Sequence, residues 1–321
     1  MSPRAERAMV PPAEFRSYYG QPVIKPPTWK SPDVPLYFFL GGTGGASSVM
    51  AALAEVTGRR RLARAGYVAA GAGATGGVVA LIHDLGRPER FLNMLRVFKP
   101  TSPLSVGSWA LAAYGTLASA AAASAVTGLL PAPAALAKAG ATVLGPVMMT
   151  YTGVLVADTA VPIWHEGYRE LPFVFAGGSL AGGGGVGLVA APPEEAGPAR
   201  VMAAAGTGLE LLAERRMTAR LGFVAEPYHQ GRPGRWMRAG TVLTTAGAAG
   251  ALLARRSRVG SVLSGVALLA GALCTRFGVF EAGMASAADP KYTVVPQRRR
   301  VDERVQPPVT AGFVPADGPA R

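Results

Sequence analysis

The chain has 321 residues, of which 50% are hydrophobic and only 16% are charged, with a formal net charge of +13. A water-soluble domain carries about a quarter charged residues, whereas here Ala, Gly, Val and Leu come in long blocks without a polar stripe. An ordinary soluble domain is therefore excluded. Blocks of roughly 20 apolar residues can cross a hydrocarbon core of about 30 Å, so we predict an all-α polytopic membrane protein.

The two ends of the chain differ from its middle. Residues 1–35 are rich in proline and contain Trp29 among scattered charges. Such a segment is not expected to form a helix, and we predict an extramembrane arm along the surface of the protein or of a partner. Residues 286–321 are predicted to be a similar extramembrane tail without helix, with three consecutive arginines at 298–300.

Eight candidate membrane spans lie between these ends. In chain order they are Leu36–Val56, Leu62–His83, Leu104–Thr127, Ala134–Val161, Leu171–Ala191, Pro198–Ala213, Met237–Leu253 and Val259–Ala282. Glycines are abundant within them, as in Gly182–Gly185 of the fifth. Small residues let membrane helices approach closely, which replaces the missing hydrophobic drive between helices. We therefore interpret these glycines as packing residues.

The positive charges predict an orientation. An even number of spans places both chain ends on one face, which carries 22 lysines and arginines against 9 on the opposite face. Because cytoplasmic loops hold the excess of such residues, both termini are predicted to be cytoplasmic, in a prokaryotic inner membrane. Topology and anionic membrane lipid explain the net positive charge, so we expect no nucleic-acid partner.

Several redox centres are disfavoured by residue content. The single cysteine, Cys274, excludes an internal disulfide and a cysteine-ligated iron–sulfur cluster within this chain. A haem held between membrane helices needs histidines inside the spans, but His83, His165 and His229 fall at span ends or in loops. No pair of histidines or carboxylates has the spacing of zinc ligands, so we predict no metal site.

Two polar residues of the fourth span suggest a ligand. Tyr151 and Asp158 are seven residues apart, which places them on one helix face. A phenol and a carboxylate in an apolar wall can hydrogen-bond a carbonyl or phenolic oxygen, which suits a quinone headgroup. A carboxylate within a span is either functional or paired, whereas the tyrosine has an equally good interpretation as a packed aromatic residue.

The end of the second span carries the densest group of charges. His83 and Asp84 stand side by side where the helix leaves the apolar zone, and a histidine beside a carboxylate can relay protons. The following segment, residues 87–99, is called the basic loop below. It is either a topology signal or a docking surface, and its charged residues are Arg87, Glu89, Arg90, Arg96 and Lys99.

These motifs resemble those of a known family. H-D-L-G-R-P-E-R-F at 83–91, P-L-S-V-G-S-W at 103–109, Y-T-G at 151–153 and V-P-I-W at 161–164 look like the NrfD/PsrC family of membrane subunits in molybdopterin-containing and related respiratory oxidoreductases. The resemblance covers about residues 36–285, and its specific motifs lie in the first half. The eight-span pattern agrees with it.

The resemblance implies an architecture and a function. It implies two four-helix bundles, here residues 36–161 and 162–285, with no haem or metal in the membrane subunit. Its expected partners are a ferredoxin-like iron–sulfur subunit and a molybdopterin catalytic subunit. Electrons would pass between these partners and a menaquinone or ubiquinone in the first bundle. The chain alone would not be a complete enzyme.

Site residues follow from the same resemblance. The family's His-Asp pair falls on His83 and Asp84, and its tyrosine falls on Tyr151. The segment Arg87–Arg90 would help to hold the iron–sulfur subunit. The first span departs from the family's pattern, because its only polar candidates near the beginning are Thr43, Ser47 and Ser48.

Two other functions remain open from the sequence. Asp158, Glu210 and Arg276 within or near spans fit a proton-conducting or secondary-transport protein, although no repeated pair of broken helices marks two transporter halves. A structural anchor that binds no quinone is the third interpretation. Gene neighbours that encode a four-cluster ferredoxin would favour the first function.

The orientation can be tested with a fusion at the C-terminus. Because of the charge bias, we expect a reporter that is active only in the cytoplasm to give signal, and one that is active only after export to give none. Strong activity from the export reporter would overturn the predicted orientation.

Overall fold

The structure, a computed structural model, describes residues 23–305, with side chains to Val301. Within this range the chain is helical, with one 3-10 turn at Gly222–Ala225 and no strand. The α-helices are α1 (Asp33–Val56), α2 (Arg60–Leu85), α3 (Glu89–Asn93), α4 (Pro103–Thr127), α5 (Pro131–Ala157), α6 (Pro162–Glu166), α7 (Leu171–Ala190), α8 (Gly197–Leu221), α9 (Glu226–His229), α10 (Gly231–Leu253), α11 (Arg258–Ala288) and α12 (Lys291–Val305).

Six helices are long and apolar enough to cross a membrane, namely α1, α2, α4, α5, α7 and α11. They coincide with six of the eight predicted spans, which confirms a multi-pass helical protein. The other two predicted spans, Pro198–Ala213 and Met237–Leu253, lie in α8 and α10. These two helices are not among the six, since charged residues such as Glu214 and Arg215 in α8 and Arg235 in α10 dilute their apolar sequence.

The long helices pack in chain order. Helix α1 packs against α2 and α5, and α4 fits against α2 and α5. Helix α7 packs against α8 and α11, and α10 lies against α11 and α8. The group formed by α1, α2, α4 and α5 meets the group formed by α7, α8, α10 and α11 mainly where α7 contacts α1 and α5. The short helices α3, α6 and α9 all lie at the end of the molecule where α1 begins and α11 ends.

Glycine permits the closest of these contacts. A β carbon built on Gly184 of α7 would lie 2.7 Å from the backbone oxygen of Ala199 in α8, and one on Gly206 would lie 2.5 Å from the backbone nitrogen of Ala181. Between α7 and α11, Gly185 and Gly265 face each other in the same way. The glycines of the fifth predicted span thus bring backbones together, as the sequence predicted.

The chain ends depart from the predicted arm and tail. Helix α1 begins at Asp33, inside the predicted arm, whose residues 1–22 lie outside the described part. The ring of Trp29 stacks on Trp164, with centroids 5.7 Å apart. The expectation of a tail without helix was wrong for residues 291–305, which form α12 although Pro296 lies inside it; residues 306–321 are outside the described part.

Tertiary contacts explain why α12 forms despite its proline. Lys291 Nζ lies 2.8 Å from Glu226 Oε2, and the Tyr292 hydroxyl donates to the same oxygen at 2.8 Å. Further along, Arg300 Nη2 lies 3.2 Å from Glu166 Oε1. These contacts dock α12 onto α9 and α6, and the hydrogen bond from Lys291 holds the pKa of Glu226 below its usual range.

The packing role of the α7 glycines predicts the effect of adding one methyl group. Gly184→Ala should lower the free energy of unfolding by about 1–3 kcal/mol, because the backbone of α8 must move away. Thermal unfolding in detergent would measure the change. Gly208→Ala is the matched control on α8, since a β carbon there meets nothing within 4 Å and alanine favours helix. Equal losses in both variants would contradict the packing role.

Candidate functional site

Tyr151 lies in α5 with its side chain almost fully buried. Its ring covers Gly107 of α4, where a β carbon would lie 2.5 Å from Tyr151 Cε2. The ring of Tyr37 meets it edge-on, with centroids 6.3 Å apart. The Tyr151 hydroxyl has no hydrogen-bond partner among the described residues. A buried hydroxyl without a partner is costly, so this group is available to a ligand.

The Tyr151 side chain forms part of the wall of a small cavity with a volume of about 40 Å³. Most of this wall is apolar or aromatic, and its polar groups include those of Asp84, Ser108 and Tyr151. Small-molecule sites commonly combine such an apolar wall with a few polar groups. The remaining lining residues are Trp29, Val34, Tyr37, Phe38, Leu81, Met94, Leu104 and Leu155.

His83 and Asp84 point in different directions. Asp84 belongs to the cavity wall and accepts a hydrogen bond at 2.8 Å from the backbone N–H of Lys30. The side chain of His83 is 78% exposed, and its Nδ1 lies 2.8 Å from Asp33 Oδ2 at the start of α1. Consecutive residues of a helix are rotated by about 100°, so the structure brings Asp84 to Tyr151's cavity and leaves His83 at the surface.

The structure does not bring Asp158 together with Tyr151. Helix α5 ends at Ala157, and Asp158 is exposed just beyond it. It lines a different cavity, together with His165, Glu166 and Arg300. A spacing of seven residues keeps two side chains on one helix face but separates them by about 10 Å along the axis. The shared face predicted from sequence therefore does not give a shared site.

The basic loop borders the cavity. Its predicted docking residues, Arg87, Glu89, Arg90, Arg96 and Lys99, are all exposed. Within residues 23–301, no ion pair involves any of these five side chains. Met94 of the same loop forms part of the cavity wall. The loop thus carries free charges on its outer side and closes the cavity on its inner side.

Sequence reasoning missed several lining residues. Val34, Tyr37 and Phe38 provide the first helix's share of the wall, whereas Thr43, Ser47 and Ser48 are buried elsewhere and line no part of it. Apolar residues of this kind give no signal, because they look like ordinary core. Two features of the sequence could have indicated other lining residues. The P-L-S-V-G-S-W motif contains Gly107 and Ser108, and Trp29 is the only tryptophan of the proline-rich arm.

Within the described residues, 23–305, no group of three or more His, Cys, Asp or Glu side chains has an arrangement that could hold a metal ion.

The fold is that of a helical membrane protein with a mostly apolar cavity between its first helices. The model of the family described as "Polysulphide reductase, NrfD" matches residues 25–191 of the chain. Since this is more than half of the chain and contains every residue of the cavity, the protein belongs to the NrfD family. No curated protein matches the chain significantly.

The fit of Tyr151 over Gly107 predicts the effect of a methyl group at the cavity wall. Gly107→Ala should displace the tyrosine ring and weaken binding of a quinol-site probe, because the ring cannot keep its place 2.5 Å from a β carbon. Probe titration of the purified protein would measure this.

Gly115→Ala on the same helix is the control, since a β carbon there meets nothing within 4 Å. If both variants bind the probe as the wild type does, Gly107 has no part in shaping the site.

Proposed function

We propose that this chain is the quinone-reactive membrane subunit of a multisubunit respiratory oxidoreductase. It would exchange electrons between a menaquinone or ubiquinone pool and an iron–sulfur partner. The observation that carries the proposal is the buried Tyr151 hydroxyl, which has no partner and lines a mostly apolar cavity. Membership of the NrfD family supports the same function.

The side chains that line the cavity have the chemistry to bind a quinone headgroup. A quinone supplies two-electron chemistry coupled to two protons, and its ring carries two oxygens that accept or donate hydrogen bonds. Tyr151 would donate to one oxygen, and the Asp84 carboxylate would accept a proton from a hydroxyl. The aromatic rings of Trp29, Tyr37 and Phe38 would flank the headgroup. Leu104 is 49% exposed on the outer surface, which provides a route for the isoprenoid tail into the lipid.

Protons would leave the cavity through Asp84. This carboxylate is at the end of α2, next to His83 in sequence, and His83 is paired with Asp33 at the surface. A proton taken up by Asp84 would therefore reach solvent within a short distance. His83 and Asp33, whose side chains are 2.8 Å apart there, would serve as its acceptors. Asp158, at the separate cavity, would have no contact with the quinone.

The partners would dock on the basic loop. Its exposed charges at Arg87, Arg90, Arg96 and Lys99 lie outside the cavity that Met94 closes. A ferredoxin-like subunit bound there would place an iron–sulfur cluster near the headgroup, and Glu89 would add a contact of opposite charge. A molybdopterin subunit would carry the substrate chemistry beyond it. We propose that this face is cytoplasmic in a prokaryotic inner membrane, on the basis of the excess of positive residues.

We also propose that α8 and α10 cross the membrane. Their 25 and 23 residues correspond to about 37 and 34 Å, enough for a hydrocarbon core of about 30 Å. With them the protein has eight spans. Residues 36–161 then form a first four-helix bundle of α1, α2, α4 and α5. Residues 162–285 form a second one of α7, α8, α10 and α11.

The quinone site can be tested by removing one oxygen atom. Tyr151→Phe keeps the ring and deletes the hydroxyl, so binding of the fluorescent quinol-site probe heptyl-hydroxyquinoline N-oxide should weaken roughly fivefold, about 1 kcal/mol for one hydrogen bond. Quinol-dependent reduction of the iron–sulfur clusters in the assembled complex should slow as well.

Tyr114→Phe is the matched control for this experiment. Tyr114 is also buried with an unpartnered hydroxyl, but it does not line the cavity. The proposal would be refuted if the probe bound equally well to Tyr151→Phe and wild type, or if Tyr114→Phe weakened it as much.

A further inference from the structure

A second group of polar atoms is buried away from the quinone cavity. Glu210 of α8 and Arg276 of α11 are each only 1% exposed. Both carboxylate oxygens of Glu210 lack a hydrogen-bond partner among the described residues, as do Nε and Nη1 of Arg276. The remaining nitrogen, Arg276 Nη2, donates to the Phe175 carbonyl at 2.6 Å and to Ser179 Oγ at 3.1 Å. The guanidinium is therefore fixed to α7, whereas the carboxylate makes no well-formed hydrogen bond and has the Thr275 side chain of α11 beside it.

The two charged groups are neighbours without forming an ion pair. A β carbon built on Gly178 would lie 2.8 Å from Glu210 Oε1 and 3.3 Å from Arg276 Nη2. Nevertheless, no ion pair within the 4.0 Å limit joins Glu210 to a cation of the described residues. The gap beside Gly178 is thus too wide for direct contact and narrow enough for one water to bridge.

The surroundings favour water in this gap. Thr207 Oγ1, one helical turn before Glu210, is also buried without a partner, and residues three apart share a helix face. Buried water is held where it makes two to four hydrogen bonds to polar groups that otherwise lack them. Glu210, Arg276 and Thr207 together offer both donors and acceptors. A dry gap would leave all of them unsatisfied within the membrane.

We infer that Glu210 is a proton-exchanging carboxylate that shares internal water with Arg276 inside the second group of helices. The exchange is a simple equilibrium in which the carboxylate takes a proton from this water and returns it. No other buried carboxylate of the described chain has both oxygens without partners, which distinguishes Glu210 from carboxylates that serve as structural anchors.

The charges that face Glu210 from neighbouring helices are few. Helix α7 has no titratable side chain. Helix α11 supplies Arg276, and α8 itself supplies Glu214 one turn further on; both act on Glu210 electrostatically. The arginines of α10 are all in its first eight residues, where Arg232 pairs with Glu281 of α11 at 3.2 Å. Helix α1, which touches α8 only lightly, carries its charges at its ends, at Asp33 and Glu55.

A short series of contacts connects this site to the quinone cavity. The Arg276 guanidinium lies 4.1 Å from the ring centre of Phe175. The Phe175 ring meets Phe38 edge-on, with centroids 5.6 Å apart, and Phe38 is part of the cavity wall. Proton exchange at Glu210 thus occurs two aromatic rings away from the cavity. Glu210 itself is not among the residues that line the cavity, so its role does not depend on the quinone assignment.

Infrared spectroscopy of the purified protein tests the inference. A pH titration in water and in heavy water should reveal the carbonyl band of a protonated carboxylic acid, with the isotope shift expected of an exchangeable proton. This band should be absent in Glu210→Gln and present in Glu214→Gln, the matched control one turn away on α8. A titration in which Glu210→Gln removes no band overturns the inference, and so does loss of the band in Glu214→Gln alone.

A second measurement needs no substitution, which covers the case in which Glu210→Gln does not fold. A high-resolution density map of the full-length protein in lipid should show water between the Glu210 carboxylate and Arg276 Nη1 or Nε. Direct contact of the two side chains without water would overturn the shared-water site. Both measurements give the same answer whether or not the protein binds a quinone.

Discussion

The structure depends on how closely its helices can approach in a solvent that is as apolar as their own surfaces. Without a hydrophobic drive, association in lipid needs direct backbone and side-chain contact. Helices α7 and α8 achieve this contact with glycine, since a β carbon at Gly184 of α7 or Gly206 of α8 would meet the backbone of the facing helix. The neighbours of α7, namely α1, α8 and α11, therefore converge on it, and the two groups of helices become one molecule.

The same missing β carbon also creates space where chemistry is placed. Gly107 leaves room for the ring of Tyr151, which then directs an unpartnered hydroxyl at the cavity. Gly178 leaves a gap between Glu210 and Arg276 that neither side chain fills. The absence of a β carbon thus allows close helix packing at some positions and makes room for aromatic or charged side chains at others. The difference lies in what faces the glycine: a backbone at Gly184, an aromatic ring at Gly107 and a pair of charges at Gly178.

Polar groups occur at two depths in this arrangement. At the end of the molecule where α1 begins, Asp84 is held by the backbone of Lys30, and Asp33 by His83, so carboxylates there have partners and access to solvent. Glu210 has neither. Aromatic rings lie between the two levels, with Phe38 and Phe175 in edge contact. This separation is the basis for proposing proton release at the surface pair and proton exchange at the inner group.

The sequence by itself determined the class of the protein, its apolar helices, the packing role of the glycines and the family, because hydropathy and local motifs are properties of contiguous residues. It also selected Tyr151 and Asp84 as candidates, and the structure places both in the wall of one cavity. Only the tertiary structure decided that His83 turns away from Asp84, that Asp158 lies beyond the end of α5, and that Trp29, Tyr37 and Phe38 complete the cavity wall. It also decided that α12 forms a helix, because Lys291 and Tyr292 meet Glu226. These outcomes depend on the direction and depth of each side chain, which are set by neighbours distant in sequence.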